Sequence, residues 1–160
     1  MKVALHPPFY LLRSSEVCWK CHRPSDAIAF AAGAATPHDE DEEVDDISPL
    51  ILQDIQEAPA PFLIAAATTG VDFRERFSQA AGHEYFMNHC ECGAPFGDHY
   101  LHSEPGHAFF PLDPREAERI QVQEIEWDVD MEADCWFAGW KSLCPFEHGT
   151  RIEGPIRIPQ

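Results

Sequence analysis

Apolar and polar positions change their spacing every few residues, which predicts many short elements rather than a bundle of long helices. Val3–Leu5 and Phe9–Leu12 are short apolar runs around Pro7-Pro8 and read as edge strands. Ala27–Ala32 reads as a further strand. Alanine favours helix, but Pro24 and Gly33 bound the run closely. Ser48-Pro49 is read as a helix start, with Ser48 as N-cap and Leu50, Ile51 and Ile55 as the buried face, ended by Pro59 and Pro61. Phe62–Ala67 is another short apolar run. Asp72–Ala81 is expected to be a helix with Phe73, Phe77 and Ala80 on one face and Gly82 as its C-cap.

Further on, Tyr85–Asn88 and His99–His102 flank a turn at Ala94–Gly97, in the order strand, knuckle, turn, strand. Asp113-Pro114-Arg115-Glu116 is a capping box opening a helix through Ile120. Val122, Ile125, Trp127, Val129 and Met131 set against Glu126, Asp128 and Asp130 predict one half-buried strand with an acidic outer face. The phase shift at Gln123-Glu124 marks a bulge in it. Cys135–Trp140 is dense in aromatics and reads as core or as the lining of a surface groove. Arg151–Gln160 adds an edge strand.

Two runs carry most of the chemistry. The first is Cys18-Trp19-Lys20-Cys21. The second is Cys90-Glu91-Cys92-Gly93. Four thiols in two close pairs, distant in sequence, are the usual way a small domain holds a structural zinc ion. Gly93 supplies the freedom a tight turn needs, and Lys20 and Arg23 temper the thiolate charge. The competing readings are plain buried thiols and a redox Cys-x-x-Cys. The redox motif opens a helix, whereas Pro24 and the apolar run after Cys21 suggest a strand. His83, His89, His99, His102 and His107 crowd the same region. His89 is the candidate to replace a cysteine, and His99, His102 and His107 are candidates for a second metal. Cys135 and Cys144 lie far from knuckle spacing and read as ordinary buried thiols. The fold class expected is therefore α+β: a strand-rich single domain over residues 1–160, built around a zinc-ribbon-like element with a few short helices.

Charge narrows the partners. The chain has 28 acidic against 11 basic residues, a net charge of −17. Phosphate binding needs the opposite sign, so direct nucleic-acid contact is not expected, nor is an anionic membrane surface. No apolar run approaches the roughly 18 residues of a span, and Met1–Pro8 does not read as a signal peptide. A cytoplasmic setting is expected, where six cysteines serve as ligands or thiols rather than disulfides. The acidic loop at 36–47, with Asp39, Glu40, Asp41, Glu42 and Glu43, is either a solvated loop or a docking surface for a cation-bearing partner.

Cys18-Trp19-Lys20-Cys21-His22, Tyr85–Cys90, Cys92-Gly93-Ala94, Gly97-Asp98, Leu101-His102 and Phe109-Phe110-Pro111 together resemble a largely uncharacterised group of bacterial proteins. These carry a Cys-Trp-x-Cys knuckle and a later Asn-x-Cys…Cys-Gly…Gly-Asp segment. The resemblance covers Cys18–Ala32 and about Gly82–Pro111. It implies a zinc-ribbon-like element and a bacterial source, and no activity. The group usually spaces its second pair as Cys-x-x-Cys, so the Cys90/Cys92 spacing departs from it.

Three functions are compatible with these features. The first is a non-enzymatic, zinc-stabilised binding protein that docks on a basic partner through Asp39, Glu40, Asp41, Glu42, Glu43, Glu126, Asp128 and Asp130, as an immunity or inhibitor protein docks on a toxin. The second is a metal-dependent hydrolase using Asp98, His99, His102 and Glu104. The third is a zinc-ribbon adaptor that touches protein within a nucleic-acid machine.

Overall fold

β1 (Lys2–Val17) is one long strand that borders three others, and the architecture follows from how its neighbours change along its length. The computed structural model describes residues 1–42, 49–140 and 143–160. In chain order the remaining elements are β2 (Pro24–Pro37), β3 (Leu50–Glu57), α1 (Ala60–Thr69), β4 (Asp72–Ser78), β5 (His83–His89), β6 (Pro95–Phe96), α2 (Pro114–Glu118), β7 (Gln121–Glu126), β8 (Met131–Ala138), α3 (Pro145–His148), β9 (Thr150–Arg151) and β10 (Ile156–Arg157).

β1 pairs with β8 over Lys2–Leu5 and with β7 over Phe9–Arg13. The change falls at Pro7-Pro8, where neither residue can donate to a ladder, and where the β1–β2 register also shifts. β2 runs antiparallel beside β1 for its whole length. Every residue from Ala27 to Ala32 is buried, with Ile28, Phe30 and Ala32 in one core and Ala27, Ala29 and Ala31 in another. A strand covered on both faces reads as an unbroken apolar run, and the small alanine face lets a second layer approach closely. β2 does not stop at Gly33. A Cβ there would lie 2.6 Å from the Pro7 carbonyl oxygen, so the glycine lets β2 pass the proline bulge.

β3 pairs with β2 and with β8, and β8 returns to β1. The ring β1-β2-β3-β8 is a closed four-strand barrel. β7, β9 and β10 extend the sheet outward, both short strands lying parallel to β7. A separate antiparallel sheet, β4-β5-β6, packs beside the barrel. α1 begins after Pro59, places Pro61 in its first turn and ends at Gly70 in the left-handed conformation. It stacks Phe62 on Phe30 at 4.5 Å and sets it edge-on to Phe9.

The barrel overturns the expected fold class. The chain is rich in strands, but its organising element is a closed barrel, not a zinc-ribbon-like unit. Several local expectations fail as well. Leu50–Glu57 is a strand, not a helix: Leu50, Ile51 and Leu52 are all buried, which a strand between two layers allows and a one-faced helix does not. Its expected N-cap, Ser48, lies outside the described residues. Asp72–Ser78 is also a strand. Phe73 and Phe77 fit a helical spacing of four and an alternation of two equally well, and the β5 ladder decides between them. His99–Ser103 is a single π-helical turn rather than an outgoing strand. The alternation from Val122 to Met131 is split into β7 and β8, with 127–130 as the connection. The α2 cap is as expected, with the Glu116 N–H donating to the Asp113 carboxylate at 2.9 Å.

Candidate metal centre

Cys18 follows the last residue of β1, and Cys21 lies in the tight turn before β2. The turn is closed by Cys18 N–H donating to the Arg23 carbonyl and His22 N–H donating to the Cys18 carbonyl, both at 2.9 Å. His22 takes a positive φ of 62° to complete it. The amides of Lys20 and Cys21 thereby point at the Cys18 sulfur, at 3.4 and 3.5 Å. Cys90 and Cys92 sit on the equivalent turn between β5 and β6. There Cys90 N–H donates to the Ala94 carbonyl, Gly93 N–H donates to the Cys90 carbonyl, and Gly93 holds φ 91°. One residue fewer between the cysteines is compatible with this closure.

The two turns meet. Cys18 Sγ lies 3.6 Å from Cys92 Sγ, and Cys21 Sγ lies 3.6 Å from Cys90 Sγ. All four sulfurs fall within 4.8 Å of one another. A tetrahedral ion with bonds of about 2.3 Å requires sulfurs about 3.8 Å apart. The four cysteines form a group that can hold a metal ion. Trp19 clamps the turns together, its indole N–H donating to the Pro95 carbonyl at 2.9 Å.

The four thiols differ in their electrostatics. For Cys18, burial pushes the thiol up, but the Cys21 and Lys20 amides outweigh it and the net shift is downward. The Arg23 backbone N–H, joined by its guanidinium, pulls Cys21 down to about 6 against burial. Cys92 accepts from the Ala94 amide, yet burial and the three neighbouring sulfurs push it up to about 11. The backbone amides thus favour the thiolate form at Cys18 and Cys21, whereas Cys92 would gain it most from positive charge placed among the sulfurs.

A second feature went unread in the sequence. Asn88 is 1% exposed, and its side-chain amide accepts from the Ile28 N–H at 2.8 Å and donates to the Ile28 carbonyl at 2.9 Å. It replaces a missing strand neighbour and fixes β5, and with it the Cys90 turn, against β2. The signal available was one amide side chain between Met87 and His89, inside a strand otherwise bound for the interior.

The histidines do not gather. Among the described residues no second group of metal-ligating side chains comes together. His89 is buried beside Cys90 but stands outside the sulfur group, with Nδ1 bonded to the Met87 carbonyl. His102 is buried and stacked on Phe109, with Nε2 3.9 Å from Asp98. His107 bonds the buried Glu16 carboxylate at 3.1 Å and approaches Glu104 at 3.5 Å. His99 is exposed. His83 bonds Asp54 at 2.6 Å. Cys135 is buried, and burial pushes its thiol up to about 12, whereas Cys144 is only half-buried at the start of α3.

Asp98 has a structural task. Its carboxylate accepts from the Asp54 N–H at 2.7 Å, supporting Asp54 at φ 51° where the β3–β8 register shifts, and its own N–H donates to the Tyr85 hydroxyl. Burial pushes the Asp98 carboxyl up to about 7. The unfolded carboxyl titrates near 3.9, so the native state keeps this proton to higher pH. Stability from this group is therefore greatest below about pH 4 and is lost as pH rises to about 7. Asp98→Asn keeps an accepting oxygen and is expected to be more stable than the wild type above pH 7, by roughly 2–4 kcal/mol. The gap should vanish below about pH 4. Denaturant unfolding of both proteins across this range checks it, and a gap independent of pH would contradict it.

The acidic residues expected to dock on a partner lie apart from the metal centre, although Glu91, Asp26 and Asp72 stand close to it. β2 ends beside the start of β1, where His38 N–H donates to the Lys2 carbonyl. Asp39, Glu40, Asp41 and Glu42 follow and are exposed. Asp128 and Asp130 lie in the 127–130 connection at the same end, Asp130 3.0 Å from His6 and Glu132 2.6 Å from His38. Glu126 closes β7 and lies 3.9 Å from Arg157. Glu43 lies outside the described residues. Cys18 follows the opposite end of β1. No helix among the described residues is long and apolar enough to cross a membrane. No protein-family model, no curated protein and no solved structure matches the chain.

Proposed function

We propose that the cysteine centre holds a structural zinc ion and that the protein works as a non-enzymatic binding protein, docking its acidic end on a basic protein partner of the toxin type. Zinc is favoured among metals because four thiolates in a tetrahedron suit it and leave no open position for chemistry. The ion would serve as scaffold, holding the β4-β5-β6 sheet on the barrel.

The observation that carries the docking reading is a set of exposed carboxylates that, among the described residues, lack ion-pair partners at one end of the β1–β2 hairpin. At the acidic end the nearby basic groups each meet a carboxylate: the Met1 amine Asp134, Lys2 Glu57, His6 Asp130 and His38 Glu132. Among the described residues no ion pair engages Asp39, Glu40, Asp41, Glu42 or Asp128. A surplus of exposed carboxylates on one end speeds encounter with a cationic protein and does little for the fold. The hydrolytic alternative draws no such support, since among the described residues His99, His102 and His107 form no metal-ligating group.

The test is capture from the native host at low salt, comparing wild type with an Asp39→Lys/Asp41→Lys/Asp128→Lys variant. A basic protein should be retained by the first, released by added salt and lost with the second. Retention of the same proteins by both, or of no basic protein by either, would contradict the reading.

A further inference from the structure

The acidic end also carries an aromatic feature that charge alone does not require. On β8, Glu132, Asp134 and Trp136 share the outer face, two residues apart. Trp136 is 49% exposed, although its strand neighbours Cys135 and Phe137 turn inward. Beside it lies a depression of about 90 Å³ lined by Met1, Glu42, Leu50, Trp136 and Phe137. This is too small for an ordinary small-molecule ligand, which occupies roughly 300–1,000 Å³, and is of the order of one side chain. Its lining combines apolar side chains with the acidic Glu42, and the amine of Met1, which also lines it, is held by Asp134 at 2.6 Å.

We infer that this depression is the anchor point of the docking surface and receives an arginine side chain of the basic partner. The inference rests on the docking reading above and names its contact. A small depression that combines apolar side chains with a carboxylate suits a long aliphatic stem ending in a cation. An exposed indole attracts that cation through its ring face, and a guanidinium stacks flat on it where an ammonium does not. Exposed tryptophan and an arginine partner are also the residue types that concentrate binding energy at interfaces. The surrounding carboxylates supply long-range attraction and Trp136 supplies the contact.

Hexa-arginine is the probe, with hexalysine as the comparison, both titrated at low ionic strength while the four indole N–H signals are followed by NMR. The Trp136 signal is assigned from its loss in Trp136→Phe. Hexa-arginine should shift that signal at lower concentration than hexalysine, and Trp136→Ala should weaken its binding about tenfold, the effect of one cation–aromatic contact of somewhat over 1 kcal/mol. Trp136 lies on the surface, and unchanged metal content with unchanged shifts of the other indoles verifies that the variant is folded. Binding that leaves the Trp136 signal unmoved, or that Trp136→Ala does not weaken, overturns the anchor while leaving the acidic docking surface in place. Absence of hexa-arginine binding altogether overturns both.

Discussion

Cys18→Ser or Cys90→Ser is expected to abolish stoichiometric zinc binding and to destabilise the protein more than any other single substitution. The reason lies in magnitudes. Structural zinc sites of this donor type release about 10–16 kcal/mol on binding, whereas a whole domain is stable by about 5–15 kcal/mol. Losing even part of the first exhausts the second. The four sulfurs also come from turns 69 and 74 residues apart in their closest pairs, so no local structure substitutes for the ion. Damage should begin at β4-β5-β6, which Asn88, the Trp19–Pro95 and His83–Asp54 contacts and apolar packing would then hold, while the barrel ladder of β1 and β2 persists longest. Metal analysis of the purified variants, with hydrogen exchange on β5 and on β2, tests this. A variant that keeps one zinc ion per chain and wild-type stability would contradict it.

The second large effect is expected at Asn88. Asn88→Leu keeps the size of the side chain but leaves the Ile28 N–H and carbonyl without their partner, at a site where Ile28 is 1% exposed. Each buried group left unpaired costs about 1–3 kcal/mol, so the loss should be roughly 2–6 kcal/mol. Asn88→Asp keeps the acceptor for the Ile28 N–H, removes the donor to the carbonyl and buries a charge, so it should fare no better. Denaturant unfolding with zinc present measures both. A loss below about 1 kcal/mol would mean that the amide does not hold the two sheets together.

The cysteine group was readable because its chemistry is written in spacing. Two thiols in each tight turn are the pattern of a shared ion whatever the surrounding fold, and Cys18, Cys21, Cys90 and Cys92 do converge into a group that could hold one. The barrel was not readable, because closure depends on β8 meeting the start of β1, more than 120 residues earlier, and no local period encodes that pairing. Leu50–Leu52 and Phe73/Phe77 were assigned to helices because burial on two faces and an ambiguous spacing erase the alternation that marks a strand. Asn88 was missed since an amide that substitutes for a strand has no signature until its neighbour is known. The acidic segments at 39–42 and 128–130 were visible separately. Their meeting at one end follows from the long β1–β2 hairpin, whose far end carries the cysteines.

X-ray absorption at the zinc edge, on protein purified without added metal, tests the central claim most directly. Four sulfur neighbours at about 2.3 Å around one zinc per chain is the expected spectrum. Protein that carries no metal, or an ion with nitrogen or oxygen in place of any of the four sulfurs, would contradict a centre built from Cys18, Cys21, Cys90 and Cys92.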